Sequence, residues 1–211
     1  MTSVREAYDV VAEDYGRLLP DTRAEDQLDL AMVDAFAQAV TASGGADVLD
    51  AGCGTGRMSR YLTDRGCRTA GLDLSPGMIA VGQRRGPTFA GVVGSLHALP
   101  FPDQRFDGVL LWYSTIHTPP PGQPRIFSEA RRVLRTGGHV LVGSQSGGGR
   151  RDVGAHYRRL GHDVTLERHL YLADEIATWL QEAGLLEVCR LVRRPRGAER
   201  DDQAMLLAAR G

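Results

Sequence analysis

Asp50, Gly52, Gly54 and Gly56 stand together in the run Val48-Leu-Asp-Ala-Gly-Cys-Gly-Thr-Gly56, and these residue types suit holding a ligand against bare main chain. Glycine opens backbone angles that are closed to residues with a Cβ, and it lets a ligand approach the chain closely. Dinucleotide sites use Gly-x-Gly-x-x-Gly. The spacing here is Gly-x-Gly-x-Gly after an acid, which would repel a pyrophosphate and suits a ligand carrying an ammonium and a sulfonium group. A second acid, Asp73, lies about twenty residues beyond the glycines, where a carboxylate can accept hydrogen bonds from both hydroxyls of a ribose. A third stretch, Trp112-Tyr-Ser-Thr-Ile-His-Thr-Pro-Pro-Pro121, brings two aromatics and an imidazole to one loop. His117 is the favoured general base because histidine titrates near neutrality, and Tyr113 and Tyr15 are further candidates for the chemistry.

These groups need elements to carry them. Val48 and Leu49 read as a short buried strand that Asp50 ends, and Met58 to Asp64 as the helix after the glycine turn. Cys67 to Leu72 is a second strand delivering Asp73, which can also cap the helix Pro76 to Arg84. Phe89 to Val93 is a third strand, leading to Gly94-Ser95-Leu96 and the loop residue His97. Phe106 to Leu111 is a fourth, and it presents residues 112–121 at the carboxyl edge, where open parallel sheets bind ligands. A helix over Arg125 to Leu134, a turn at Gly137-Gly138 and a strand from His139 to Gly143 follow. Gln145 to Gly149 reads as a flexible loop. It leads into a variable segment, Arg150 to Leu170, holding His156, Tyr157, His162 and His169. A helix from Leu172 to Ala183, stopped by Gly184, precedes an antiparallel closing pair over Leu185 to Val192 and Gln203 to Ala209. Upstream, residues 3–20 form an amphipathic helix carrying Tyr8 and Tyr15. Asp21 or Thr22 caps a longer helix with Leu28, Met32, Ala35, Phe36, Ala39 and Val40 inward.

The glycine stretch resembles motif I of the class I S-adenosylmethionine-dependent methyltransferases. Four further segments are similar to that family's later motifs, in order: Gly71-Leu-Asp-Leu-Ser-Pro-Gly-Met78, Gly94-Ser-Leu-His-Ala-Leu-Pro-Phe101, Phe106-Asp-Gly-Val-Leu-Leu-Trp-Tyr113, and Arg132-Val-Leu-Arg-Thr-Gly-Gly-His-Val-Leu-Val142. The resemblance implies an α/β three-layer sandwich around a Rossmann-like, seven-stranded, mostly parallel sheet of order 3-2-1-4-5-7-6, strand 7 antiparallel, under an N-terminal helical lid. It implies one domain over residues 1–211, with 1–44 as helices and lid, 45–145 as cofactor-binding core and 146–211 as substrate-side segment and closing strands. The implied cofactor is S-adenosylmethionine, with S-adenosylhomocysteine as product. Its expected contacts are Tyr15, Asp50, Ala51, Gly52, Cys53, Gly54, Gly56, Arg57, Asp73, Leu74, Met78, Gly94, Ser95, Leu96 and Trp112. Ser95 stands where the family usually has an acid; its hydroxyl can still accept from an adenine amino group. The expected reaction transfers a methyl group to an oxygen, nitrogen or carbon of a small molecule.

Composition excludes several alternatives. The chain of 211 residues has a formal net charge of −1, with its paired arginines dispersed among acids, so no nucleic-acid partner is expected. There is no lysine, which removes Schiff-base chemistry, a Walker-type phosphate loop and the Tyr-x-x-x-Lys of NAD-dependent reductases. Cys53, Cys67 and Cys189 are too few and scattered for a zinc site or disulfide framework and are read as reduced thiols. The spacing of His156, His162 and His169 fits no ligand pair on one helix turn, so no metal is expected. The first six residues lack an apolar signal core, and no run is long enough to span a bilayer, so a soluble cytoplasmic monomer or homodimer is expected. A non-catalytic module that binds the same cofactor is the rival from another class, and the aromatic loop at 112–117 weighs against it.

Overall fold

The computed structural model describes residues 3–42, 44–86 and 89–211; Met1 and Thr2, part of the stretch read as lacking a signal core, lie outside the described residues. The leader is helix α1 (Val4–Leu18), which starts in a capping box where the Ser3 side chain accepts from Glu6 N and the Glu6 carboxylate accepts from Ser3 N. Asp21 caps a single 3-10 turn at Thr22–Ala24 instead of the long helix, and α2 (Gln27–Ala42) begins only after it. The buried face of α2 is Asp29, Val33, Phe36, Ala37 and Val40, and Leu28 is exposed, against its expected inward position. Apolar residues at Leu28, Leu30, Met32 and Val33 fall on several sides of the helix, so periodicity alone does not choose the face.

Strands and helices then alternate: β1 (Asp47–Ala51), α3 (Arg57–Thr63), β2 (Arg68–Asp73), α4 (Pro76–Arg85), β3 (Gly91–Val93), β4 (Phe106–Trp112), α5 (Gln123–Val133) and β5 (Leu134–Ser146). A short ribbon, β6 (Arg150–Asp152) and β7 (Glu167–His169), encloses α6 (Gly154–Arg158), and α7 (Ala173–Glu182), β8 (Leu185–Arg193) and β9 (Asp202–Arg210) close the chain. The main sheet runs β3-β2-β1-β4-β5-β9-β8, with β9 antiparallel to both β5 and β8. This is the expected order, with the β6-β7 ribbon counted in between. Residues from α2 and α3 form the core on one side of the sheet and residues from α5 and α7 the core on the other, giving three layers.

Three local expectations are corrected. β5 begins at Leu134, which pairs with Phe106 and so is not helical, and it continues to Ser146. Gln145 and Ser146 pair with Gln203 and Asp202, so the first two of the five residues expected as flexible loop are strand. The reason is β9, whose partner register is invisible in residues 145–149 themselves. β3 starts at Gly91, and Phe89 serves as packing: its ring fills the space beside Gly56, Gly71, Gly82 and Gly91, where an added Cβ would come within 2.6–2.7 Å of it. Among the described residues no helix is long and apolar enough to cross a membrane.

Candidate active site

The glycine turn follows from β1, whose burial on both faces ends where three left-handed glycines begin: φ is +85° at Gly52, +54° at Gly54 and +77° at Gly56. The three serve different ends. A Cβ on Gly52 would lie 2.2 Å from Ser114 Cβ, and one on Gly56 would lie 2.7 Å from the Phe89 ring, so both positions demand close packing. At Gly54 the nearest atom is the Tyr15 ring at 3.5 Å, so the missing side chain there opens a gap under the lid helix. Asp73 ends β2 beside this turn and accepts from Gly54 N at 2.8 Å and Ser75 N at 2.9 Å. Burial raises its pKa while those two amides oppose the shift. The carboxylate thereby shapes the glycine loop, and Asp73 lines the cavity beside it.

That cavity, about 400 Å³, is lined by Gly52, Gly54, Asp73, Leu74 and Met78 on one side and by Gly94, Ser95, Leu96 and Trp112 on the other. The size lies in the range of small-ligand pockets. Ser114 Oγ, in the same wall, is buried without a hydrogen-bond partner. An open glycine, an acid at the strand tip and an orphaned hydroxyl fit a polar nucleoside ligand. Five expected contacts lie elsewhere. Ala51 and Cys53 are buried, Cys53 with its thiol pKa pushed up by burial, and neither they nor Asp50 or Gly56 line this cavity. Asp50 sits behind the loop, accepting from Ser59 Oγ at 2.6 Å, and burial raises its pKa to about 6. Arg57 faces a second cavity and forms a buried ion pair with Glu25, which also accepts from Trp112 Nε1 at 3.3 Å.

The second cavity, about 580 Å³, shares Tyr8, Tyr15, Tyr113 and His117 with the first. Helix α1 forms the common roof. Asp9 Oδ1 accepts from Ser75 Oγ at 2.5 Å and Gly77 N at 2.9 Å, which ties α1 to the start of α4. On the other flank Asp14 pairs with His162 at 2.7 Å, tying α1 to the segment after α6. Tyr8 and Tyr15, seven residues apart, therefore point down the same face toward the site, with ring centroids 6.1 Å apart.

His117 is held from both ends. Its Nδ1 lies 2.6 Å from the Glu167 carbonyl, which can only accept, so Nδ1 carries a proton. Burial lowers the imidazole pKa and favours the neutral ring, so Nε2 is the bare nitrogen and accepts from the Tyr8 hydroxyl at 2.8 Å. The result is a phenol–imidazole pair in the wall between the cavities. Tyr113 lies apart from it. Its backbone is left-handed at φ +52°, and its hydroxyl donates to Gln203 Oε1 at 2.8 Å. Burial pushes its pKa well up, which disfavours the phenolate.

Tyr8 was not singled out as a site residue from sequence, although its seven-residue spacing from Tyr15 was a readable signal. Gln145 and Gln203 offered none. They reach the second cavity because β5 and β9 pair there. His156 lines the second cavity and His169 stacks on Tyr171 at 7°; among the described residues no three His, Cys, Asp or Glu side chains group as a metal site.

A mostly parallel sheet with a reversed strand between β5 and β8, and a ligand cavity over a glycine turn and a strand-tip acid, define a methyltransferase-type nucleotide-binding domain. Residues 48–138 match the family model described as a methyltransferase domain. A malonyl-[acyl-carrier protein] O-methyltransferase of Serratia marcescens is 34% identical over 131 residues, covering 60% of this chain and 47% of that protein. These matches support a class I S-adenosylmethionine-dependent methyltransferase. The chain spans about half to two thirds of the length of the curated relatives first matched. Among solved structures, the 1,6-didemethyltoxoflavin-N1-methyltransferase of Burkholderia thailandensis superposes with a TM-score of 0.66 at 22% identity, covering 100% of this chain and 91% of that one. The [4+2]-cyclase SpnF superposes with a TM-score of 0.72 at 21% identity, covering 99% of this chain and 95% of that one. Both structural likenesses speak to fold.

Proposed function

We propose that this chain is an S-adenosylmethionine-dependent methyltransferase that methylates an oxygen, nitrogen or carbon atom of a small-molecule acceptor. The observation that carries the reading is the continuity of the two cavities across Tyr8, Tyr15, Tyr113 and His117. One cavity has the features of a nucleoside site and the other adjoins it at a phenol–imidazole pair. When bound, S-adenosylmethionine supplies a methyl group activated by its positive sulfur.

In this reading Asp73 accepts from the ribose hydroxyls, Leu74 and Met78 flank the adenine, and Ser95 with the Leu96 main chain meets its edge. Gly52 and Gly54 let the cofactor lie against main chain, and Tyr15 covers it. Asp50, Ala51, Cys53 and Gly56 hold the loop in shape from behind, and Arg57 supports the amino-acid end from its pair with Glu25. The lid of residues 1–44, the core of 45–145 and the segment 146–211 act as one domain, with α1 and residues 150–170 excluding water from the acceptor. His117 acts as general base through Tyr8. A proton leaving the acceptor passes to the Tyr8 oxygen as the Tyr8 proton moves to His117 Nε2, so His117 ends as the imidazolium and Tyr8 stays neutral, which suits a phenol whose pKa burial holds high. The partner is a small molecule and not a nucleic acid, and the protein works in the cytoplasm as a monomer or homodimer.

Isothermal titration with S-adenosylhomocysteine and with NAD, followed by mass-spectrometric search for methylated products, tests the assignment. Binding of NAD in preference would overturn it. The rival reading is a domain that binds the cofactor without using its methyl group; tight S-adenosylhomocysteine binding with no methyl transfer to any of a broad acceptor panel would select that reading.

A further inference from the structure

The wall of the second cavity is unbalanced in charge, and the imbalance has a location. Its three carboxylates are already engaged: Glu25 with Arg57, Asp152 with Arg158, and Glu199 with Arg193. Arg193 also pairs with the buried Asp29, so that corner carries one net negative charge. The other arginines of the wall are undercompensated. Arg151 and Arg168 share one buried carboxylate, Asp201, at 3.0 and 2.7 Å, and Arg159 and Arg200 at the rim have no acid partner among the described residues. Asp201 and Asp29 cancel Arg158 and Arg193 outside the wall, so the wall's excess of two positive charges remains.

Two buried atoms in the same wall lack partners. Nε of Arg168 is a donor with no acceptor, and Oε1 of Gln145 is an acceptor with no donor. Unsatisfied buried polar atoms are uncommon, because water is lost without replacement. A ligand offering a negatively charged acceptor at one point and an N–H or O–H at another answers both. Four tyrosines, Tyr8, Tyr15, Tyr113 and Tyr157, supply flat apolar surfaces for the body between those points.

We propose that the second cavity binds a small carboxylic acid bearing a hydroxyl or amino group, with Arg168 as the anchor for its carboxylate. A single negative charge matches the single guanidinium that Asp201 leaves uncompensated, and the planar Arg fork suits a carboxylate. Held by that end, the acceptor presents its hydroxyl or amine toward the Tyr8–His117 pair in the shared wall. The proposal rests on the methyl-transfer reading and adds the substrate class.

The test is calorimetric titration of the full chain, saturated with S-adenosylhomocysteine, using 4-hydroxybenzoate and its neutral analogue 4-hydroxybenzamide as probes. The acid should bind about tenfold or more tightly than the amide, the scale of one charge-assisted hydrogen bond. Arg168→Gln should reduce that preference to about threefold or less and leave S-adenosylhomocysteine affinity unchanged. Should Arg168→Gln fail to fold, Arg200→Gln serves, since Arg200 is exposed and unpartnered; its preference for the acid should fall below wild type at low ionic strength and converge at high salt. No preference in the wild type, including no binding of either probe while S-adenosylhomocysteine binds, overturns the proposal, as does an unchanged preference in the folded variants. Failure of S-adenosylhomocysteine itself to bind overturns the cofactor reading instead.

Discussion

The Tyr8 hydroxyl donates to Nε2 of His117 at 2.8 Å, joining the lid helix to the loop after β4 across 109 positions of sequence. One hydrogen bond thus couples closure of the roof to the protonation of the candidate base. An open lid would leave His117 without its phenol partner, and a protonated His117 would present Nε2–H to Tyr8 and lose the relay.

Removing either member should slow chemistry more than binding. His117→Ala is expected to lower kcat by about 10² or more, and Tyr8→Phe by a smaller factor, with little change in S-adenosylhomocysteine affinity. Burial lowers the His117 pKa, so the wild-type rate should hold level through neutrality and fall only on the acid side of the ordinary value of 6.5. Profiles of kcat against pH for the three proteins check this. An acid limb that survives in His117→Ala would remove it from the role of base.

Asp73→Ala should weaken S-adenosylhomocysteine binding by about ten- to a hundredfold, corresponding to roughly 1.5–3 kcal/mol for charge-assisted hydrogen bonds. Part of that loss would come from Gly54 N and Ser75 N, which lose their shared acceptor. Titration of the folded variant is decisive: wild-type affinity would mean that Asp73 shapes the loop and touches no ribose.

Gly54 and Gly56 should separate ligand binding from stability. Gly54→Val places a branched side chain in the gap below Tyr15 and is expected to abolish S-adenosylhomocysteine binding with most of the circular dichroism retained. Gly56→Ala brings a Cβ to 2.7 Å from the Phe89 ring at a left-handed φ, and should cost about 1–3 kcal/mol in urea unfolding. Equal effects of the two substitutions on binding would contradict the division.

Asp50 gives the fold a pH dependence of definite sign. Its pKa rises from 3.8 to about 6 on burial, so the folded chain holds the proton more tightly than the unfolded chain. Its contribution to stability is greatest below 3.8 and is lost as pH rises through about 6, a change of at most roughly 3 kcal/mol. Asp50→Asn keeps an acceptor for Ser59 and removes the titration. Relative to wild type it should gain stability at pH 8 but not at pH 4, measured by urea unfolding; a difference independent of pH would refute the account.

Much of the cofactor side was legible in the chain itself. Asp50, the three glycines and Asp73 depend on local backbone requirements, a strand turning into a helix and an acid at a strand tip, and such requirements write themselves into adjacent residues. The strands of the parallel core read as apolar runs because both faces are buried. The helix face of α2 did not, since Leu28 and Val33 satisfy an apolar pattern equally well until a sheet packs on one of them.

The second cavity was decided by tertiary structure. Tyr8 and His117, Gln145 and Gln203, and Arg151 and Arg168 around Asp201 meet only because α1 folds back over β4, β9 inserts antiparallel beside β5, and the β6-β7 ribbon leans on the end of β9. None of these partners shares a helix turn or a strand with the other, so no period of 2 or 3.6 residues marks them. Local backbone preference determined the glycine turn and the strand-tip acid beside the first cavity. Which side chains face them across the cavity was set by the packing of elements distant in sequence, a property of the whole sheet and of no single segment.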